Sequence, residues 1–241
     1  MPKGRSKSLA NLKNKAKTAD ASRSKTWEKK MPYAKIYSKN AEKKDLLKNV
    51  GKFEADLNLF LSKIHENPSH FKEEMTEKIT EFNDAFEKFK EKTQVKDETF
   101  TKISVFLANT IEYYRKDLTF LVPTICDTLS SYGNIMHPFV RMKCVQTITI
   151  VAKKGLWDPI ESITFLIRLF IIKDKELRTF LSKHVVSAIK KLLEKNKDNK
   201  VKTKLTVMFN ELLTDANEKV SKATFILLTE IYKKAIWRDK K

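Results

Sequence analysis

The sequence predicts an all-α protein, a HEAT/armadillo-like α-solenoid of about nine helices behind a disordered basic N-terminal arm. Three observations carry that expectation. Apolar residues recur every three or four positions from Gly51 onward, the period of one helix face. With only four Gly and six Pro in 241 residues, the chain lacks the tight turns that an all-β fold needs. Helix pairs start near residues 53, 97, 138, 175 and 216, at spacings of about 44, 41, 37 and 41 residues, the period of helical repeats whose neighbours share one core. A hydrophobic content of 41%, with fifteen Phe falling on helical faces, is enough for a sizeable interior.

Residues 1–50 carry 15 Lys+Arg against 4 Asp+Glu, a net of +11, with scattered Gly, Ser and Asn and little periodicity. They lack the apolar area that offsets ordering entropy, so they read as a mostly disordered basic arm. Within it, Lys25 to Tyr37 concentrates Trp27, Met31, Tyr33, Ile36 and Tyr37 among lysines. That insertion either docks on the helical body or orders on RNA or a protein partner, with aromatics stacking and lysines neutralising phosphate.

Residues 51–241 form the predicted solenoid. The first helix uses Phe53, Leu57, Phe60, Leu61 and Ile64; the second opens at Asn67-Pro68, a cap residue before a helix-starting proline, and carries Phe71, Met75, Ile79, Phe82, Phe86 and Phe89. A third runs through Phe100, Ile103, Phe106, Leu107, Ile111 and Tyr114, and a fourth opens at Val122-Pro123 with Ile125, Cys126 and Leu129 inward. His137-Pro138 starts a fifth, with Met142, Val145, Ile148 and Ala152. Asp158-Pro159-Ile160-Glu161 starts the sixth: the Asp caps, the Pro fixes φ, and Glu161 is placed to reach back to the capping amide. Asp174 opens the seventh, with Leu177, Phe180, Leu181, Val185, Ala188, Ile189 and Leu192. An eighth carries Val201, Leu205, Met208, Phe209 and Leu212, and the ninth Val220, Ala223, Leu227, Ile231 and Ala235. Counting pairs from the first helix leaves the ninth without a partner, which predicts an uncovered apolar end and either a solenoid that continues in a full-length protein or a partner that covers that end.

The wording of the last helices resembles a known family. Residues 183–203, KHVVSAIKKLLEKNKDNKVKT, with the following stretch to Lys241, are similar to the severe depolymerization of actin family. The likeness extends backwards through FVRMKCVQTITIVAKKGLWDPIESITFLIRLFIIKDKELRTFL and FTKISVFLANTIEYYRKDLTFL to roughly Leu57, about three quarters of the chain. The resemblance implies a non-enzymatic scaffold in maturation and nuclear export of the large (60S) ribosomal subunit precursor. It places the protein in the nucleus and nucleolus, linked to actin organisation. The implied partners are the pre-60S particle, with its rRNA and assembly factors, and import or export receptors.

The residues independently favour a polyanionic partner. The net charge is +19, and Lys greatly outnumbers Arg, which suits diffuse phosphate attraction better than bidentate base reading. The strongest internal signal is the run Lys190, Lys191, Lys195, Lys197, Lys200, Lys202 and Lys204. It is read either as a solvated turn complementing a helix C-terminal dipole or as a phosphate-binding edge. Lysine doublets recur at Lys153-Lys154, Lys190-Lys191 and Lys233-Lys234, as ordinary helix ends or as a ladder along one edge that tracks an RNA backbone.

Other chemistries find little support. Cys126 and Cys144 show no CxxC spacing and read as buried free thiols of a reducing compartment. His65, His70, His137 and His184 form no metal motif, and His184 is expected to be a hydrogen-bonded core residue. No phosphate-cradling glycine loop or GxSxG motif is present, so no cofactor, metal or small-molecule substrate is expected. The richest apolar run, Ile163 to Ile172, holds Arg168 and is too short to span a membrane. Trp157 and Trp237 read as packing anchors between repeats or as partner hot spots. A rival reading is a nuclear transport adaptor that grips peptide segments in a solenoid groove, with the basic arm as an import signal.

Overall fold

The computed structural model describes Lys52, residues 55–196 and residues 199–237. The predicted arm of residues 1–50, Phe53 and Lys197 lie outside the described residues. Nine α-helices and no strand occur among those described: α1 over residues 55–66, α2 Lys72–Glu91, α3 Glu98–Thr110, α4 Leu121–Tyr132, α5 Pro138–Lys153, α6 Pro159–Arg168, α7 Lys175–Lys195, α8 Asn199–Leu213 and α9 Glu218–Lys233. Short 3-10 turns, Pro68–Phe71 and Leu169–Ile171, precede α2 and follow α6. The body forms one compact unit from Asp56 onward.

Helix starts follow from local side-chain chemistry. Asp97 Oδ1 accepts from Phe100 N–H at 2.9 Å, Asp174 Oδ1 from Leu177 N–H at 3.0 Å and Asn217 Oδ1 from Lys219 N–H at 3.1 Å. Each satisfies an amide that the first helical turn leaves without a partner. Asp158 Oδ1 takes two, Ile160 N–H at 2.9 Å and Glu161 N–H at 3.0 Å. The reciprocal bond from Glu161 is not made, so this cap is one-sided. Asn67 makes no side-chain cap; Asn67-Pro68 opens the 3-10 turn, and α2 starts at Lys72. Helix α3 stops at Thr110 rather than running on to Tyr114, because the turns after it are held by tertiary bonds. Tyr114 Oη donates to Pro68 O at 2.7 Å, and Ile111, Tyr114 and Leu118 stay buried without being helical.

Packing makes the fold a stack of helix pairs. The closely packed neighbours are α2 with α3, α4 with α5, α6 with α7 and α8 with α9; successive pairs stack α3 on α5, α6 on α8 and α7 on α9. Among the pairs seen, the register is therefore shifted by one helix from the predicted one: α3 pairs with α2 and α9 has a partner in α8. Helix α1 joins the core through Phe60, whose ring stacks on Phe106 of α3 at 5.6 Å. The outward side of α9 does carry exposed apolar residues, Phe225, Ile226 and Tyr232.

A phenylalanine cluster centres the first half. Phe82, Phe89 and Phe100 are fully buried, with Phe100 at 4.9 Å from Phe89 and 5.7 Å from Phe82, Phe86 lying 5.7 Å away on the same ring. Buried threonines are satisfied locally: Thr147 Oγ1 donates to Lys143 O at 2.9 Å and Thr224 Oγ1 to Val220 O at 2.8 Å. Between the pair α4–α5 and the pair α6–α7, one ion pair spans the junction. Arg141 of α5 donates from Nη1 to Asp174 Oδ2, the α7 cap, at 2.6 Å and from Nη2 to Met136 O at 2.8 Å. Close approach is possible beside it because Gly133 has no side chain: a Cβ there would collide with Leu129 O and meet Ile172 Cδ1 at 2.8 Å.

Helices α5 and α9 end alike. Gly155 (φ 72°) and Ala235 (φ 54°) adopt the left-handed conformation; Leu156 N–H then donates to Val151 O at 3.3 Å, and Ile236 N–H to Ile231 O at 3.1 Å. Ala235 is thus a capping residue and not the last member of the α9 apolar face. Glycine tolerates this conformation and alanine does not. Gly155→Ala, with open space around its Cβ position, is expected to lose about 1 kcal/mol of stability through φ alone, and Ala235→Gly to gain about 0.5–1 kcal/mol. Urea unfolding midpoints of the two variants check both signs.

Candidate functional site

The helices α5, α7 and α9 occupy equivalent places in successive pairs; the doublets Lys153-Lys154 and Lys233-Lys234 end α5 and α9, whereas Lys190-Lys191 lies a turn inside α7, whose last turn carries Lys195. A cation in the last turn is favoured by the helix dipole, so the sequence places charge at one end of each repeat. Adjacent lysines are about 100° apart around a helix, and the two members of a doublet consequently meet different neighbours.

Lys153 and Lys191 come together, with Lys195, around a groove of about 780 Å³ bounded by the end of α5, by α6 and by α7. On α7 the lining residues are His184, Ser187, Ala188, Lys191, Leu192 and Lys195, and on α6 Pro159, Ser162, Ile163 and Leu166. Both sets recur at three- and four-residue steps, one face of each helix. Glu194 is the groove's one acidic member. Lys190 turns the other way and shares a second groove of about 570 Å³ with Lys234, Leu193, Glu194 and Ile236. The Lys190-Lys191 doublet therefore straddles its repeat, facing Lys153 on one side and Lys234 on the other. Lysines thus link α5, α7 and α9 in sequence.

The remaining predicted lysines divide. Lys154 is structural: its Nζ donates to Asn109 O and to Glu112 Oε1, both at 2.6 Å, tying the end of α5 to the end of α3. Lys234 pairs with Glu230 at 2.6 Å, while Glu230 also accepts from Ser182 Oγ at 3.0 Å, linking α9 to α7. Lys190 approaches Glu194 at 3.8 Å, an exposed one-turn pair that holds either charge weakly. Lys233 is exposed on α9, Lys200 is exposed and Lys202 half-buried in the first turn of α8. Lys204 lines a third groove of about 420 Å³ beside Asp158, Glu161 and Glu211; carboxylates screen it from any anion. The run from Lys190 to Lys204 is therefore several surfaces and not one cluster.

His184 is not the hydrogen-bonded core residue expected. It is half-buried in the α6–α7 groove, stacked on Phe180 with ring centroids 5.9 Å apart, and no hydrogen bond holds it. Burial, and then the charges of Lys153 and Lys191, push its imidazole down from the ordinary 6.5 to about 4. The facing groups from the packed elements are Lys153 on α5 and Lys191, Glu194 and Lys195 on α7; α6 contributes no ionisable side chain to this groove. Because the folded state refuses a proton that the unfolded chain takes up, the contribution of His184 to stability is complete above pH 6.5 and falls away as the pH drops to about 4. His184→Gln is expected to flatten that part of the stability profile, measured as urea midpoints between pH 7 and 4.

Both cysteines are free; Cys144 is buried and Cys126 half-buried. Burial pushes both thiols up to about 12, with Asp127 adding to the effect at Cys126, so neither is a ready nucleophile. Among the described residues no group of three or more His, Cys, Asp or Glu is placed to hold a metal, and no helix is long and apolar enough to cross a membrane. Trp157 packs on Phe165 of α6 at 5.9 Å, between pairs as expected, whereas Trp237 packs on Phe209 of α8 at 5.9 Å, within its own pair. Sequence reasoning missed one available signal: KKGLW at 153–157 and KKAIW at 233–237 are the same helix ending written twice.

Comparison with known proteins agrees with this architecture. Residues 106–241, more than half of the chain, match the SDA1 HEAT-repeat family. Among curated relatives, the Protein SDA1 homolog of Drosophila melanogaster is 28% identical over 178 residues, covering 74% of this chain and 25% of the relative. That of Xenopus laevis is 25% identical over 194 residues, covering 80% and 28%, and that of Dictyostelium discoideum 26% identical over 175 residues, covering 73% and 23%. The chain spans about a quarter of the length of the relatives it matches.

Proposed function

This chain belongs to the SDA1 family, and from that membership we propose that it is a non-enzymatic scaffold of large-subunit ribosome assembly. It works in the nucleus and nucleolus on the 60S precursor, during maturation and export, and lays a lysine edge on ribosomal RNA. The observation that carries the RNA contact is the pairing of doublets across neighbouring repeats outside the α6–α7 groove, Lys190 of α7 beside Lys234 at the end of α9, on a chain of net charge +19. Such an edge offers phosphate attraction along several repeats, with Lys in place of the Arg forks that read bases. RNA recognised this way is recognised by backbone and shape.

The experiment is a salt titration of binding to a single-stranded RNA by fluorescence anisotropy. Wild-type affinity is expected to fall steeply with salt. Reversing Lys190, Lys233 and Lys234 to Glu together is expected to reduce the slope of log affinity against log salt by about 2, at roughly 0.7 for each phosphate no longer neutralised. An unchanged slope would contradict the assignment of RNA binding to this edge.

A further inference from the structure

We propose that the groove between α6 and α7 is a docking site for an acidic segment of a partner protein, with apolar side chains on the groove floor and carboxylates on Lys153, Lys191 and Lys195. This goes beyond the scaffold reading: the outer lysines serve RNA, and the groove serves protein.

The floor is carbon. Ala188 and Leu192 of α7 are half-buried, and behind them Ile163 and Leu166 of α6 are sealed, each 1% exposed. Lys191 and Lys195 stand one turn apart on α7, both exposed, with the exposed Lys153 reaching in from the end of α5. His184 in the same lining resists protonation through burial first and then through the charges of Lys153 and Lys191. An apolar floor under a cationic rim is complementary to a segment in which carboxylates alternate with apolar side chains.

RNA is the poorer occupant of this place. Base stacking needs open aromatic faces, and the one aromatic ring in the lining, His184, already has a face against Phe180. The lining holds no Arg to fork onto a base edge, and Glu194 would repel a continuous phosphate track while leaving discrete carboxylates free to choose the lysines. The chain's own N-terminal fifty residues, at net +11, are of the wrong charge. The arm is therefore not the occupant.

The test uses the 241-residue chain and a dye-labelled peptide of about a dozen residues alternating Leu with Glu, followed by fluorescence anisotropy. Two control peptides replace every Glu by Gln or every Leu by Ser, and an oligouridine of similar length represents RNA. Saturable binding of the acidic peptide is expected, weakened at least about tenfold by either control change and by Lys191→Glu. Ala188→Arg, which fills the floor, is expected to do the same; Lys191 is exposed, so Lys191→Glu keeps the test alive should Ala188→Arg not fold. The outer-lysine variant should bind the peptide like wild type. Three results would overturn the proposal: no saturable peptide binding, equal binding of the Gln peptide, or oligouridine binding that Ala188→Arg abolishes. None of them touches the scaffold reading, which stands or falls on association with ribosomal precursors.

Discussion

Asp174→Ala is expected to lower unfolding stability by about 3–5 kcal/mol, an effect typical of breaking a buried ion pair by removing one partner. The side chains of Arg141 and Asp174 are 7% and 12% exposed, and their contact joins α5 to the first turn of α7. Truncation strands the guanidinium among Met136, α5 and the α7 start, where its Nε already has no hydrogen-bond partner. It also removes the cap on Leu177 N–H. Asp174→Asn separates the two losses, since Asn caps as well as Asp; it should recover about 1 kcal/mol relative to Ala. Burial pushes the Asp174 carboxyl up, but the Leu177 amide and Arg141 together outweigh it and hold it below the ordinary 3.8. The stabilisation is therefore complete above that value and is lost as pH falls through the lower folded one. The wild type should show this acid limb and Asp174→Asn should lack it, read by denaturant midpoints from pH 5 downward.

Phe100→Ala is expected to cost about 3–5 kcal/mol, the range for a large aromatic deleted from a sealed core. Phe100 is 0% exposed and touches the rings of Phe82, Phe86 and Phe89 on α2, so one deletion empties the interface between α2 and α3. The cavity is lined by stiff rings that have few ways to collapse into it. Phe225→Ala, by contrast, removes a ring that is 65% exposed and should change the unfolding midpoint little. Equal effects at the two positions would mean that the face of α9 is packed in solution.

Much of the fold is legible in the sequence because it is local. Asp158-Pro159, Asp174 and His137-Pro138 mark helix starts, since a cap and the proline φ act within one turn. The nine helices follow from periodicity. Pair register does not follow, because it is a choice among tertiary partners: α3 buries Phe100, Thr101, Ile103, Ser104, Phe106, Leu107, Ala108 and Thr110, more than one face, and so packs against both α2 and α5. Tyr114 reads as helical because its side chain is apolar at the helical spacing, but its burial comes with a hydrogen bond to Pro68. The lysine doublets point to an edge, yet periodicity does not separate Lys153 on the groove rim from Lys154, clamped to Glu112. Nor does it distinguish Ala188 and Leu192 on a groove floor from packed core, since it reports which face is apolar and not what covers it. Ala235 reads as core at its helical position, and its likeness to Gly155 emerges only when the two helix endings are laid side by side.

Whether this SDA1-family chain acts on large-subunit precursors is read from sucrose-gradient fractionation of nuclear extract containing a tagged, endogenously expressed copy. Co-migration with 60S precursor particles and their assembly factors is the expected result. Recovery confined to light fractions, with import receptors or cytoskeletal proteins, would contradict the scaffold function proposed above.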